Sequence, residues 1–204
     1  MKYPVIEKKW GGFLVLGFLT VMVVVTSSCS SATATNPPRS VTEQLLLSTA
    51  ADRALAETNL PPIQGKKVYV DGTYYDSYDP KYVLGSIRDA LSRSGALLVD
   101  NASNSDIVVE ARCGGLSIDA SESLIGVPAT GIPIPLAGVV SIPELAFYKS
   151  SRQHSIAKLA LLAYDTKSRE HVFSSGSMVG KSYNKYYKFL GIIQWTTTDI
   201  PEKQ

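Results

Sequence analysis

The sequence predicts an α+β fold, in which one mixed, largely antiparallel sheet carries two helices on one face. Two early segments repeat apolar residues at helical spacing, and later segments alternate apolar and polar residues as strands do. Hydrophobic residues make up 45% of the 204 residues, which is enough for a core and excludes wholesale disorder. The order helix, strand, helix, two strands, a long loop and three strands favours a single sheet with its helices on one side.

The first helix is predicted over residues 41–57. Ser40 and Glu43 have the spacing of a capping box, with the serine side chain available to the Glu43 amide. The pair Pro61 and Pro62 prevents the helix from continuing. Its buried stripe is predicted at Leu47, Ala50, Ala51, Ala54 and Leu55.

The second helix is predicted to begin at Asp79 and Pro80, as N-cap and first-turn residue. Gly95 stands where a helix C-terminal glycine belongs. The buried stripe is predicted at Val83, Ile87, Ala90 and Leu91.

Strands are predicted from short runs with period-two alternation. They cover residues 66–71, 96–99, 106–113, 144–149, 154–165 and 171–181. The last two form an antiparallel hairpin around the turn at 166–170. Residues 157–164 are apolar on both faces, which is typical of a central strand.

Residues 126–143 contain four prolines and no charged residue. Because proline donates no ladder hydrogen bond, we predict a long, apolar, Pro/Gly-rich irregular loop. If the loop is exposed, it binds a partner through its apolar side chains. If it folds back over the sheet, it completes the core. The candidate partner-binding residues are Ile132, Ile134, Leu136, Val139 and Val140.

The N-terminus reads as an export signal. Residues 1–28 combine Lys2, Lys8 and Lys9 with an uncharged apolar stretch and small residues before Cys29. The ending Ser27-Ser28-Cys29 resembles a bacterial lipobox, which implies lipidation of Cys29 and a membrane partner through that lipid. An ordinary signal peptide and a retained anchor are the alternatives. Residues 29–39 are then a flexible tether, and the mature chain is formally neutral.

Residues 40–181 are predicted to form a single domain, and residues 182–204 a C-terminal tail. The tail combines tyrosines, Phe189 and Trp195 with Lys185 and Lys188. Amphipathic rings and lysines of this kind suit a membrane interface, a protein groove or plain packing. The sequence leaves open whether the tail is an appended helix or a docked segment.

Two stretches, residues 43–48 (EQLLLS) and 141–144 (SIPE), resemble an uncharacterised bacterial lipoprotein family. The order of elements, the lipobox and the late hairpin with its turn at 163–170 (AYDTKSRE) also resemble the periplasmic domains of CsgG and the N-terminal part of TolB. This resemblance implies an exported, lipid-anchored protein of the cell envelope, and no activity. Ser30 after the lipidated cysteine implies the outer membrane, facing the periplasm.

Several kinds of functional site have no support in the sequence. The formal charge of +2 is too small for a nucleic-acid footprint, and two cysteines make neither a disulfide framework nor a four-cysteine zinc site. Residues 176–182 nearly match a phosphate-binding loop, but a small-residue strand is the better interpretation. We therefore expect no enzyme activity, no cofactor and no metal.

Two binding functions remain, beside a structural lipoprotein that has no dedicated ligand. The first is an interaction or assembly module that binds an envelope protein, or a second copy of itself, through residues 126–143. The second is a protein that binds or hydrolyses cell-wall glycan with the loop at 71–79. Tyrosine faces stack on sugars and carboxylates accept hydroxyl groups, so Tyr74, Tyr75, Asp76 and Tyr78 are the candidates there.

Overall fold

The computed structural model describes residues 38–56, 60–61, 63–134 and 138–201. Two α-helices are α1 (Val41–Ala56) and α2 (Pro80–Arg93). The capping box of α1 is confirmed, because Glu43 N donates to Ser40 Oγ at 3.2 Å and Ser40 N donates to Glu43 Oε2 at 2.9 Å. No helix in the described part of the chain is long and apolar enough to span a membrane.

Asp79 occupies the N-cap position of α2 as predicted, but its side chain does not cap the helix. The carboxylate instead accepts two hydrogen bonds from the Arg39 guanidinium, at 2.8 and 2.6 Å. Arg39, which the sequence assigned to the tether, is thus bound to the domain. A partner 40 residues away in the chain is invisible to a local capping rule.

The main sheet is mixed, as predicted. Its strands are β1 (Lys67–Asp71), β2 (Leu97–Leu98), β3 (Ile107–Val127), β6 (Leu145–Asp165), β7 (His171–Ser174), β8 (Met178–Phe189) and β9 (Ile193–Thr198). The order is β2-β1-β3-β6-β8-β9, with β7 paired to β6. The β1 pairings with β2 and β3 are parallel, and the others are antiparallel.

Strands β3 and β6 are 21 residues long and pair along their whole length, from Ile107 opposite Asp165 to Val127 opposite Leu145. The sequence predicted only the first third of β3 and split β6 into two strands. Gly114 and Gly115 lie at a register shift in β3. This bulge interrupts the alternation of apolar and polar residues from which a strand is predicted.

The prediction of an irregular loop at 126–143 is wrong in part. Strands β4 (Thr130–Ile134) and β5 (Gly138–Ile142) form a two-stranded antiparallel hairpin beyond the ends of β3 and β6. Proline is compatible with this hairpin because each strand has one partner, so that alternate amides point away from the pairing.

The core lies between the two helices and one face of the sheet. Buried side chains from α1 and α2 meet those of β1, β3 and β6, including Leu47, Ile87, Val68, Val109 and Leu161. The predicted stripes of both helices are buried, except that Ala90 is only partly so. The confirmed architecture is α+β with the helices over one end of a long sheet.

The C-terminal segment joins this sheet. The boundary predicted at residue 181 falls inside β8, and β9 adds a further strand. The predicted signal peptide at 1–28, Cys29 and the tether to residue 37 lie outside the described residues.

Candidate functional site

The sheet extends well past the helices. We call residues 124–134 and 138–148, together with the β8–β9 turn at 189–193, the distal arm. The Leu190 amide donates to the Phe147 carbonyl at 2.7 Å, which holds the turn beside β6. The distal arm therefore combines the β4–β5 hairpin, the ends of β3 and β6, and one neighbouring turn.

Apolar side chains cover this arm and face outward. The predicted residues Ile132, Val139 and Val140 are 47%, 67% and 48% exposed. The backbone of Ile134 lies in β4, while its side chain and Leu136 are outside the described residues. Val127 of the same predicted stretch is 47% exposed. Further exposed apolar residues, which the sequence did not single out, are Leu145, Phe147, Leu190, Ile192 and Ile193.

Of the two predicted states of residues 126–143, the described side chains support exposure. They do not fold back over the sheet, since none of them belongs to the core cluster. Exposed apolar groups this numerous in one place are typical of an interaction surface.

Aromatic and basic residues follow directly behind the arm. Tyr187 stacks on Trp195 with ring centroids 5.2 Å apart, and Lys185 Nζ lies 4.7 Å from the centre of the Tyr183 ring. The sequence analysis named these residues in the C-terminal tail but did not predict where the tail lies. Their register on β8 and β9 positions them next to the apolar arm, and we call Arg152, Tyr183, Lys185, Tyr187, Lys188 and Trp195 the aromatic–basic belt.

The single carboxylate of the arm is already paired. Glu144 accepts a hydrogen bond from Lys149 Nζ at 2.9 Å, and this bond raises the pKa of Lys149. Arg152, Lys185 and Lys188 form no ion pair within the described residues. Glu122 of β3 is exposed opposite Ser151 at the same level, and the three cations of the belt still leave this region net basic, next to a surface with almost no charge.

The structure separates the four candidates of the glycan hypothesis. Tyr74, Asp76 and Tyr78 are exposed, whereas Tyr75 is 6% exposed and belongs to the core. Burial raises the pKa of the Tyr75 phenol, and the neighbouring Cys113 thiol adds to the rise. Tyr75 is thus unavailable to stack on a sugar at the surface. Arg39 lies 5.3 Å from the centre of the Tyr78 ring.

Among the described residues, no three His, Cys, Asp or Glu side chains converge as metal ligands would. A groove of about 720 Å³ runs between α1 and α2, but its Asp52 already accepts hydrogen bonds from Tyr82 and Ser86 at 2.7 and 3.2 Å. These bonds tie the two helices together.

Residues 28–201 match one protein family, described as a family of unknown function, DUF6655. The chain belongs to this family. No curated protein matches the chain. The matched range covers both helices and every strand of the main sheet, as well as the distal arm.

Proposed function

We propose that the chain is a non-enzymatic, lipid-anchored protein of the cell envelope, and that its distal arm binds another envelope component. The exposure of Ile132, Val139 and Val140 carries the proposal. Contact between water and the many apolar groups of the arm is unfavourable, and a partner that covers these groups removes that contact. An envelope protein, a second copy of the chain and the membrane itself are the classes of partner that such a surface serves.

Cross-linking in intact cells tests the arm. A photoreactive amino acid replaces Val139 in the full chain, and a matched control replaces Val172, an exposed valine of β7 outside the arm. We expect adducts with another envelope component from position 139 and none from position 172. Equal yields at the two positions, or no adduct at 139, would contradict the proposal.

The anchor is proposed from the residues around Cys29, with export to the outer membrane and the domain facing the periplasm. Two or three acyl chains hold a protein firmly at a bilayer, whereas one binds reversibly. Cys29→Ser should abolish labelling with a fatty-acid probe and release the chain from the membrane fraction, while Cys113→Ser should do neither. Unchanged labelling of the Cys29→Ser variant would exclude lipidation at this residue.

Glycan binding is the second candidate, because Tyr74 and Tyr78 are 62% and 61% exposed beside Asp76. Under this hypothesis, Tyr74→Ala or Asp76→Ala abolishes binding to purified cell-wall glycan while the circular dichroism spectrum is unchanged. Asp119→Ala, at an exposed aspartate of β3, is the control. A wild-type chain that does not bind the glycan would end this hypothesis.

A further inference from the structure

We infer that the component bound by the distal arm is the surface of a lipid bilayer, with the apolar hairpin inserted to the boundary between headgroups and acyl chains. The inference rests on the proposed function, since it names the partner of the same surface. Three features of the described residues carry it: apolar groups on both faces of the arm, their separation from charge, and the belt behind them.

The β4–β5 hairpin is apolar on both faces. Val139 and Val140 are neighbours in β5, so their side chains point to opposite faces, and both are exposed. Ile132 lies opposite Val140 and adds to one of these faces. A protein groove would cover one face of such a hairpin and leave the other in water. A lipid phase surrounds both, and therefore fits the arrangement better.

Charge is almost absent from the arm and returns at its base. Residues 123–148 contain one charged side chain, Glu144, and residues 189–198 contain none. Behind the arm, Lys185 and Lys188 are three residues apart in β8 and therefore point to opposite faces. Cations on both faces suit the phosphates of a headgroup layer that encircles the arm.

The aromatic side chains occupy the same level. Tyrosine and tryptophan prefer the interface between water and hydrocarbon, because each ring combines a large apolar body with a polar group. Tyr187 and the half-exposed Trp195 stack on one another at the base of the arm. An apolar tip is thus followed by one band that mixes aromatic rings and basic residues, as an interfacial layer of headgroups beside hydrocarbon requires.

The backbone limits how deep the arm enters. Each strand of the β4–β5 hairpin has one pairing partner among the described residues, so its outer amide and carbonyl groups require water or headgroups. Hydrocarbon satisfies neither group. A shallow position, with the side chains in lipid and the outer backbone groups still hydrated, meets both requirements.

Quenching of a single tryptophan tests this position. The full chain carries Trp10→Phe, Trp195→Tyr and Val139→Trp, so that an amphipathic ring remains at position 195, and a matched control carries Val172→Trp in the same background. Each is reconstituted into phosphatidylethanolamine–phosphatidylglycerol vesicles whose acyl chains are brominated at shallow or deep positions. Both variants carry the same N-terminal segment, so attachment of the chain to the vesicle through a lipid cannot by itself cause a difference in quenching between them.

We expect tryptophan at 139 to lose roughly half of its emission with shallow bromines and less with deep ones, and tryptophan at 172 to lose none. No quenching at 139, or equal quenching at 139 and 172, would overturn the inference. Stronger quenching by deep bromines would overturn the shallow position. If position 139 is not quenched but still cross-links to a protein in cells, the proposed function stands and the bilayer is not the partner. Failure of both measurements removes both proposals.

Discussion

Gly180 shows how one residue sets the distance between helix and sheet. A Cβ atom at this position would overlap the Ala50 carbonyl oxygen and lie 2.5 Å from the Ala54 nitrogen, both in the backbone of α1. Neither group can move without displacing the helix. The glycine that made residues 176–182 resemble a phosphate-binding loop is therefore explained by packing.

Gly180→Ala should lower the free energy of unfolding by about 1–3 kcal/mol, as expected of overpacking. Gly115→Ala is the matched control, since a Cβ there meets nothing within 4 Å and its φ is not in the left-handed region. The control should change stability by no more than about 0.5 kcal/mol. Urea denaturation measures both, and equal effects would refute the close-approach argument.

Tyr75 illustrates a second effect at the scale of one residue. Its hydroxyl is buried and makes no hydrogen bond of ordinary geometry with any described residue. A buried unpaired hydroxyl is unfavourable by about 1–3 kcal/mol relative to one that is hydrogen-bonded. Tyr75→Phe should therefore leave the free energy of unfolding unchanged or raise it by up to about 1 kcal/mol. A clear loss of stability in urea would mean that the hydroxyl is paired.

At the scale of elements, one carboxylate fastens the end of β9 to helix α1. Asp199 forms an ion pair with Arg53 of α1 and accepts hydrogen bonds from Ser182 Oγ at 2.8 Å and the Tyr183 amide at 2.7 Å. Burial alone would raise the pKa of Asp199. The Tyr183 amide, Arg53 and Ser182 outweigh burial, so the pKa lies below its ordinary value.

The folded state binds the carboxyl proton of Asp199 less tightly than the unfolded state does. The contribution of Asp199 to stability is therefore present at neutral pH and is lost as the pH falls below about 4. Asp199→Asn should lower the free energy of unfolding by about 1–3 kcal/mol at pH 7, and the difference should shrink in acid. Asp100→Asn is the control, because the Asp100 side chain is 89% exposed in its pair with Arg88. Urea denaturation between pH 3 and pH 7 measures both. A difference that stays constant over this range would contradict the assignment.

At the scale of the whole molecule, the core supports only one end of the sheet. In β3 and β6 the buried side chains concentrate at 107–116 and 155–163, whereas towards the arm most residues are exposed or half-buried. Local opening is easiest where few apolar contacts must be broken. The sheet should therefore be stable at the helices and easily opened towards the arm.

Amide hydrogen exchange measures this difference along the same two strands. In the full chain in mild detergent, amides at 107–113 and 157–163 should exchange roughly a hundredfold more slowly than those at 119–124 and 149–154. The buried residues of α1 serve as the reference for a protected element. Uniform protection along β3 and β6 would show that the sheet opens no more easily towards the arm than at the core.

The sequence by itself determined the elements whose signals are local. The capping box at Ser40 and Glu43, the buried stripes of both helices and the glycine that ends α2 each depend on residues within a few turns. Gly95, with φ of 94°, is in the left-handed region that glycine favours. The α+β class followed from the order of these elements.

Only the tertiary structure decided the length of the sheet and the nature of its exposed end. Residue 107 pairs with residue 165, and Asp199, which follows β9, binds a helix more than a hundred residues earlier, so no local pattern predicts either contact. The same nonlocal packing buried Tyr75, turned Asp79 towards Arg39 and made Gly180 necessary. Composition marked residues 126–143 as apolar. Their distance from the core follows from the pairing of the two long strands β3 and β6, because strands of this length extend past the helices that could cover residues 126–143.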